Sequence, residues 1–215
     1  MTHDRRLEPT MGLVEGPTVL IVPGLNGSND THWQTLWEDS RSDCVRASLG
    51  SWSNPRPELW IPRLDAAVYG CPGDVILVAH SLGCITTAHW AQQHEETARQ
   101  RIRGALLVAP CDPERPNARP ELARFAPIPR EPLPFPSVLV ASTNDPYMRI
   151  DRARELARSW ASSFIDIGMH GHINSDSGLG RWEFGLDLLD EIFSGSLAAD
   201  LAQENYRQIL RNGIS

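Results

Sequence analysis

Ser81, Asp145 and His172 are the residues whose types and order along the chain could do chemistry together. Ser81 stands in Ala79-His80-Ser81-Leu82-Gly83, at the end of the apolar run Val75-Ile76-Leu77-Val78, with helix-like sequence following at once. A serine in a sharp strand-to-helix turn has its hydroxyl lifted above the sheet, and the helix N-terminus behind it favours developing negative charge. That is the setting for nucleophilic attack on a carbonyl carbon. The usual elbow is G-x-S-x-G; here Ala79 takes the first glycine position, and alanine is small enough to let strand and helix approach. Alone, the pentapeptide also fits an inert turn.

Serine is a weak nucleophile at neutral pH and needs a base within hydrogen-bond reach, oriented by a carboxylate. Asp145 follows the run Ser137–Ala141 in Ser142-Thr143-Asn144-Asp145-Pro146-Tyr147, where a turn or helix cap is the plainer role for it. Asp112, after the preceding apolar run, is its rival. His170 and His172 compete for the base in Met169-His170-Gly171-His172-Ile173-Asn174. Gly171 frees the backbone for a tight approach and Asn174 can pin the loop, which favours His172. The order serine, acid, histidine is that of the α/β-hydrolases. His-x-His is half a metal site, but no further ligands accompany it, so neither metal nor cofactor is expected.

An oxyanion needs two backbone N–H groups. Leu82, directly after the serine, offers one. Leu25 in Pro23-Gly24-Leu25-Asn26-Gly27-Ser28 is the best candidate for the other, and Asn26 the next. This loop lacks the Gly-Lys-Ser/Thr of a phosphate-binding P-loop. Asn26, His80, Trp52, Trp60 and Tyr147 are candidate pocket residues. The aromatics serve as well in a core, and His80 as a packing residue. His32, His89 and His94 read as helical and structural. Cys84 reads as a buried packing residue, with a reactive thiol as the alternative.

The elements that must position these groups alternate along the chain. Strands are expected at Thr18–Val22, Cys44–Ala47, Val75–Ala79, Gly104–Ala109, Ser137–Ala141 and Ser163–Ile167. Helices are expected from about Asn29–Thr31, where Thr31 and Gln34 have capping-box spacing, and over Glu58–Val68, Ser81–Gln93, Ile150–Trp160, Arg181–Phe193 and Leu197–Leu210. Pro110 to Pro136 is too rich in proline for more than a short helical piece at Glu121–Phe125; it reads as a packed crossover or as a wall or lid of the pocket. Buried strands alternating with helices imply a mostly parallel sheet with helices on both faces. The site then lies beyond the carboxyl ends of the strands, at the topological switch point.

Composition narrows the function classes. With 215 residues, residues 17–215 fit a single domain, and residues 1–16 read as a loose polar arm without a signal-peptide core. A net charge of −7 and the lack of a basic patch speak against nucleic acid as a partner. No apolar run is long enough to cross a bilayer, so no membrane association is expected. The four cysteines, Cys44, Cys71, Cys84 and Cys111, lack zinc-like spacing and read as free thiols in a reducing cytoplasm.

Taken together, these segments resemble the small serine hydrolases of the retinoblastoma-binding protein 9 / YdeN-like family, a compact branch of the α/β-hydrolases. The resemblance runs from about Thr18 to Phe193. It rests on Pro-Gly-Leu-Asn-Gly-Ser, Trp33, Trp52 through Trp60, Val-Ala-His-Ser-Leu-Gly-Cys, Pro129 to Pro136, Ala-Ser-Thr-Asn-Asp-Pro-Tyr and Gly-His-Ile-Asn with Ser-Gly-Leu-Gly. It implies a compact α/β-hydrolase fold: a six-stranded, mostly parallel sheet of order 2-1-3-4-5-6 without a large cap domain. It also implies Ser81 as nucleophile, Asp145 as acid and His172 as base, acting on an ester, thioester or amide of a small molecule through an acyl-enzyme. An acyltransferase, or a protein-interaction module with little turnover, remains the alternative; a complete triad argues against the second.

Overall fold

The computed structural model describes residues 16–195. Short runs of apolar, β-branched residues form six strands: β1 (Thr18–Val22), β2 (Cys44–Arg46), β3 (Val75–His80), β4 (Ile102–Val108), β5 (Ser137–Ala141) and β6 (Ser163–Asp166). Every residue of β1, β3 and β5 is buried, as a strand covered on both faces requires. The strands pair in parallel throughout, in the order β2-β1-β3-β4-β5-β6.

Successive side chains of a strand point to opposite faces, and the two cores follow that alternation. Leu20, Val22, Leu77, Ala79, Leu107 and Leu139 meet one set of helices: α2 (Pro57–Gly70), α3 (Leu82–Gln93) and α6 (Ile150–Ser159). Val19, Ile21, Ile76, Val78, Val108 and Val140 meet α1 (Trp33–Ser40) and α7 (Glu183–Ser194) on the other face. On that second face Trp33 and Trp37, one helical turn apart, close around Trp182, with ring centroids 4.8 to 6.1 Å apart. This aromatic cluster ties α1 to the segment that ends the glycine-rich loop after β6.

The segment between β4 and β5 is an ordered crossover with one short helix, α5 (Pro120–Ala123). Leu122, Phe125, Ile128 and Phe135 are buried. The Trp160 indole N–H donates to the Pro129 carbonyl at 2.8 Å, and Glu114 accepts from the Ile128 N–H at 2.7 Å. Polar bonds to its own backbone thus compensate for the regular structure its prolines forbid.

Most element boundaries fall within one or two residues of the sequence expectation, and three differences stand out. The N-cap of α1 is His32, whose Nδ1 accepts from the Gln34 N–H; Thr31 forms no capping box, because Gln34 is buried and bonds the Val78 carbonyl and Ser28 instead. A further helix, α4 (Glu95–Arg101), directly follows α3. Helix α7 starts two residues later than expected because Trp182 adopts a left-handed conformation at φ 50° to join the tryptophan cluster. The expected helix Leu197–Leu210 and nearly all of the expected N-terminal arm lie outside the described residues. Among the described residues, no helix is long and apolar enough to cross a membrane.

Candidate active site

Strand β1 leads to β2 on one side and adjoins β3 on the other, so the loops after β1 and β3 diverge at their carboxyl ends and leave a crevice. Ser81 sits there, between β3 and α3, at φ 54° and ψ −120°. A non-glycine residue is strained in this region and persists only where its surroundings hold it. The hold is visible. The Ser81 N–H donates to the Val108 carbonyl at 3.0 Å, and a Cβ on Gly83 would lie 2.2 Å from the Val22 carbonyl oxygen. A Cβ on Gly24 would lie 2.8 Å from that of Ser81. The close approaches of the elbow are therefore made at Gly83 and Gly24, while the Ala79 methyl packs in the apolar core opposite Val22.

The loops after β5 and β6 bring Asp145 and His172 to the same point. His172 Nε2 lies 2.8 Å from Ser81 Oγ, and its Nδ1 lies 2.8 and 3.0 Å from the two Asp145 oxygens. A carboxylate only accepts, so the imidazole proton is on Nδ1 and Nε2 faces the serine hydroxyl with a lone pair. Both side chains are nearly inaccessible, at 9% and 3% exposure, which strengthens their hydrogen bonds. Asp145 is fixed in turn by accepting from the Tyr147 N–H at 2.8 Å. Asp112 points elsewhere, capping the Glu114 N–H and pairing with Arg152. His170 is exposed; only its backbone takes part, its N–H donating to Ser142 Oγ at 2.9 Å.

The His172 loop is braced on both sides. His80 Nε2 donates to the His172 carbonyl at 2.9 Å, and the Trp33 indole N–H donates to the Ile173 carbonyl at 2.8 Å. Ile173 is buried with φ 50°, an outlier for a β-branched residue, held by these bonds and by packing on the tryptophan face. Asn174 forms a capping box with Ser177, pinning the loop through its side chain.

A cavity of about 250 Å³ opens over Ser81 and His172. Leu25, Asn26, His80 and Tyr147 line it, as do Arg119 and Leu122 of the crossover, so that segment is both packed and a wall. Trp60 does not line it: this indole is buried in the core, edge-on to Phe125 and Trp52. Trp52 lies behind the lining, against Gly27. The Asn26 N–H donates to the Trp52 carbonyl at 2.8 Å and is spent, whereas the Leu25 N–H has no acceptor among the described residues. His32, whose sequence context is helical and structural, is a wall residue that the sequence does not single out, as are Asn29, Ser175 and Asp176. The available signal for His32 was its place just before the apolar pair Trp33 and Trp37, where an N-cap belongs.

The four cysteines are buried and free. Burial holds the Cys84 thiol well above its ordinary range and pushes Cys111, under Ser81, up to about 12. Neither forms the thiolate that nucleophilic attack requires at neutral pH. No cluster of metal-ligating side chains occurs among the described residues.

Known proteins share this architecture. A serine hydrolase family model matches residues 19–191. YdeN of Bacillus subtilis is 23% identical over 189 residues, covering 82% of this chain and 96% of that protein. The crystal structure of a YdeN-like protein from Pectobacterium atrosepticum superposes with a TM-score of 0.73 at 36% identity, covering 85% of this chain and 92% of the other. Est1E from Butyrivibrio proteoclasticus, at 14% identity, TM-score 0.61 and coverage of 82% and 88%, shares the fold. The chain belongs to the serine hydrolase family and is a hydrolase built on a compact α/β-hydrolase fold.

Proposed function

We propose that the protein hydrolyses an ester, thioester or amide of a small molecule through an acyl-enzyme on Ser81. The observation that carries this reading is the unbroken line of short hydrogen bonds from Ser81 Oγ through His172 to Asp145. His172 Nε2 takes the hydroxyl proton as Ser81 Oγ attacks the substrate carbonyl. Asp145 holds the ring in the right tautomer and stabilises the imidazolium that forms. The N–H groups of Leu82 and Leu25 receive the oxyanion; Leu25 is preferred over Asn26 because the Asn26 N–H is already bonded. His172 then passes its proton to the leaving group, and a water molecule, deprotonated by the same nitrogen, releases the acid and regenerates Ser81. Side chains and water account for every proton and electron pair, so no cofactor enters.

The cavity of about 250 Å³ fits a short acyl or small aromatic substrate rather than a long lipid chain. Steady-state turnover of p-nitrophenyl acetate by the purified protein tests the reading. Ser81→Ala and His172→Ala should each lose at least ~10³-fold in kcat/KM, whereas His170→Ala should keep most of it. Equal turnover by wild type and Ser81→Ala would reject the mechanism. Loss with His170→Ala and survival of His172→Ala would reassign the base.

A further inference from the structure

Several buried polar atoms lack a hydrogen-bond partner among the described residues, and of these only His32 Nε2 belongs to a residue lining the cavity over Ser81. His32 is 3% exposed. Its Nδ1 accepts from the Gln34 N–H at 3.1 Å and so carries a lone pair, not a proton. Burial and the nearby Arg46 push its pKa down to about 4, so at neutral pH the ring is uncharged and its single proton sits on Nε2. A buried N–H with no acceptor is destabilised relative to one that is satisfied. Something that binds there is expected to satisfy it.

The neighbouring ring supplies the complement. His80 lies 4.8 Å from His32 between centroids, edge to face. Its Nε2 is the donor to the His172 carbonyl, so Nδ1 keeps a lone pair with no donor among the described residues. The rings that carry this donor and this acceptor are thus in contact. His80 in turn contacts His172, whose ring is 4.9 Å away and bonded to Ser81. The rest of this end of the cavity is polar, with Asn29, Asn174, Ser175 and Asp176; Ser175 donates to Asn29 across the gap between the two loops at 2.6 Å. With Asp176 on one side and Arg119 on the other, the lining has no single sign of charge to select an anion, and an ammonium group, which only donates, would leave the His32 N–H unpaired. A hydroxyl group both accepts and donates, and so fits the pair.

We propose that His32 Nε2–H and His80 Nδ1 form a hydroxyl-recognition subsite, so that the preferred substrates are small esters bearing a hydroxyl group a few bonds from the reacting carbonyl. The inference rests on Ser81 being the nucleophile and adds the substrate class. A site built to bond a hydroxyl discriminates against an analogue lacking it, because its own polar atoms are then left unpaired.

The test compares matched substrates on the same protein. Rates on ethyl butyrate, ethyl 3-hydroxybutyrate and 2-hydroxyethyl butyrate are followed by pH-stat, which places the hydroxyl on the acyl or the alcohol side. His32→Asn keeps an acceptor for the Gln34 N–H but removes the Nε2 donor; His32→Gln keeps a donor near the Nε2 position. The wild type is expected to favour one hydroxylated ester over the plain one by roughly tenfold in kcat/KM. His32→Asn should bring that ratio to within about twofold of unity, and His32→Gln should restore part of it. Using the ratio cancels any general loss of folding or activity common to both esters. No preference in the wild type would overturn the proposal. So would an unchanged ratio in His32→Asn, which would assign the Nε2 proton to a structural water. Ser81-dependent labelling by a fluorophosphonate, run in parallel, separates the cases: labelling without a hydroxyl preference rejects the subsite alone, and absence of labelling rejects the nucleophile and the subsite with it.

Discussion

Ser81 holds a backbone conformation that costs energy and that only its neighbours sustain. Adding a methyl at Gly83 would drive it into the Val22 carbonyl, and backbone cannot yield as a side chain can. Gly83→Ala should therefore lower stability by about 1–3 kcal/mol in urea denaturation and reduce turnover with it. Ala79→Gly makes the opposite point. It restores the usual elbow pattern but removes a fully buried methyl and loosens the chain, so it should cost roughly 1 kcal/mol and leave the site no more active. At the third residue of the line, Asp145→Asn should lower kcat/KM by ~10³–10⁴-fold with little change in stability, because the amide can hold the ring in the wrong tautomer. The proposed serine, carboxylate and histidine were legible in the sequence because each stands in the turn or loop that follows an apolar run, in the order of a Ser-Asp-His triad. His32 was not. Its neighbours Trp33 and Trp37 gave a helical pattern, and nothing in the order of residues tells that the ring of an N-cap faces a cavity formed by loops far away in the chain.

The loop after β6 carries His172 and has little regular structure of its own beyond the turn Ser175–Ser177. Its geometry is imposed from outside, by the Trp33 indole on the Ile173 carbonyl and by His80 on the His172 carbonyl. Trp33→Phe keeps the ring packing but leaves a buried carbonyl unsatisfied. It should cost about 1–3 kcal/mol in thermal or urea unfolding and lower kcat more than it raises KM, since the proposed base, His172, loses its brace. Helix α1 is thus a support for the site on the opposite loop. The strands were readable because five apolar residues between turn signals have few other fates in a chain of this composition. The end of α3 at Gln93 was read correctly, but helix α4 was not. His94 and the acidic Glu95-Glu96 begin a new helix within a polar stretch whose pattern shows no apolar face. Capping also misled: Thr31 and Gln34 have the right spacing, but the Gln34 amide is drawn into the core by the Val78 carbonyl, a contact 44 residues away in sequence.

Across the whole molecule, the sheet gathers residues from five loops at the carboxyl ends of its strands, and several of the groups gathered there are buried histidines. His32 and His80 are both held neutral by burial. For His32 the folded-state value of about 4 lies below the ordinary 6.5, so between these values the unfolded chain binds more protons than the folded one. Stability then rises with pH over that window; the contribution is complete above about pH 6.5 and is lost as pH falls toward 4, with His80 acting in the same direction. Urea midpoints should decline from pH 7 to 4, and His32→Asn should make that decline shallower by up to about 3 kcal/mol.

The proposed mechanism requires that Ser81, and not another residue, forms the covalent bond to substrate. Incubation with a fluorophosphonate followed by peptide mass spectrometry measures this directly. The adduct is predicted on Ser81 alone, absent from Ser81→Ala and strongly slowed in His172→Ala. An adduct on a different residue, or labelling that persists in Ser81→Ala, would contradict it.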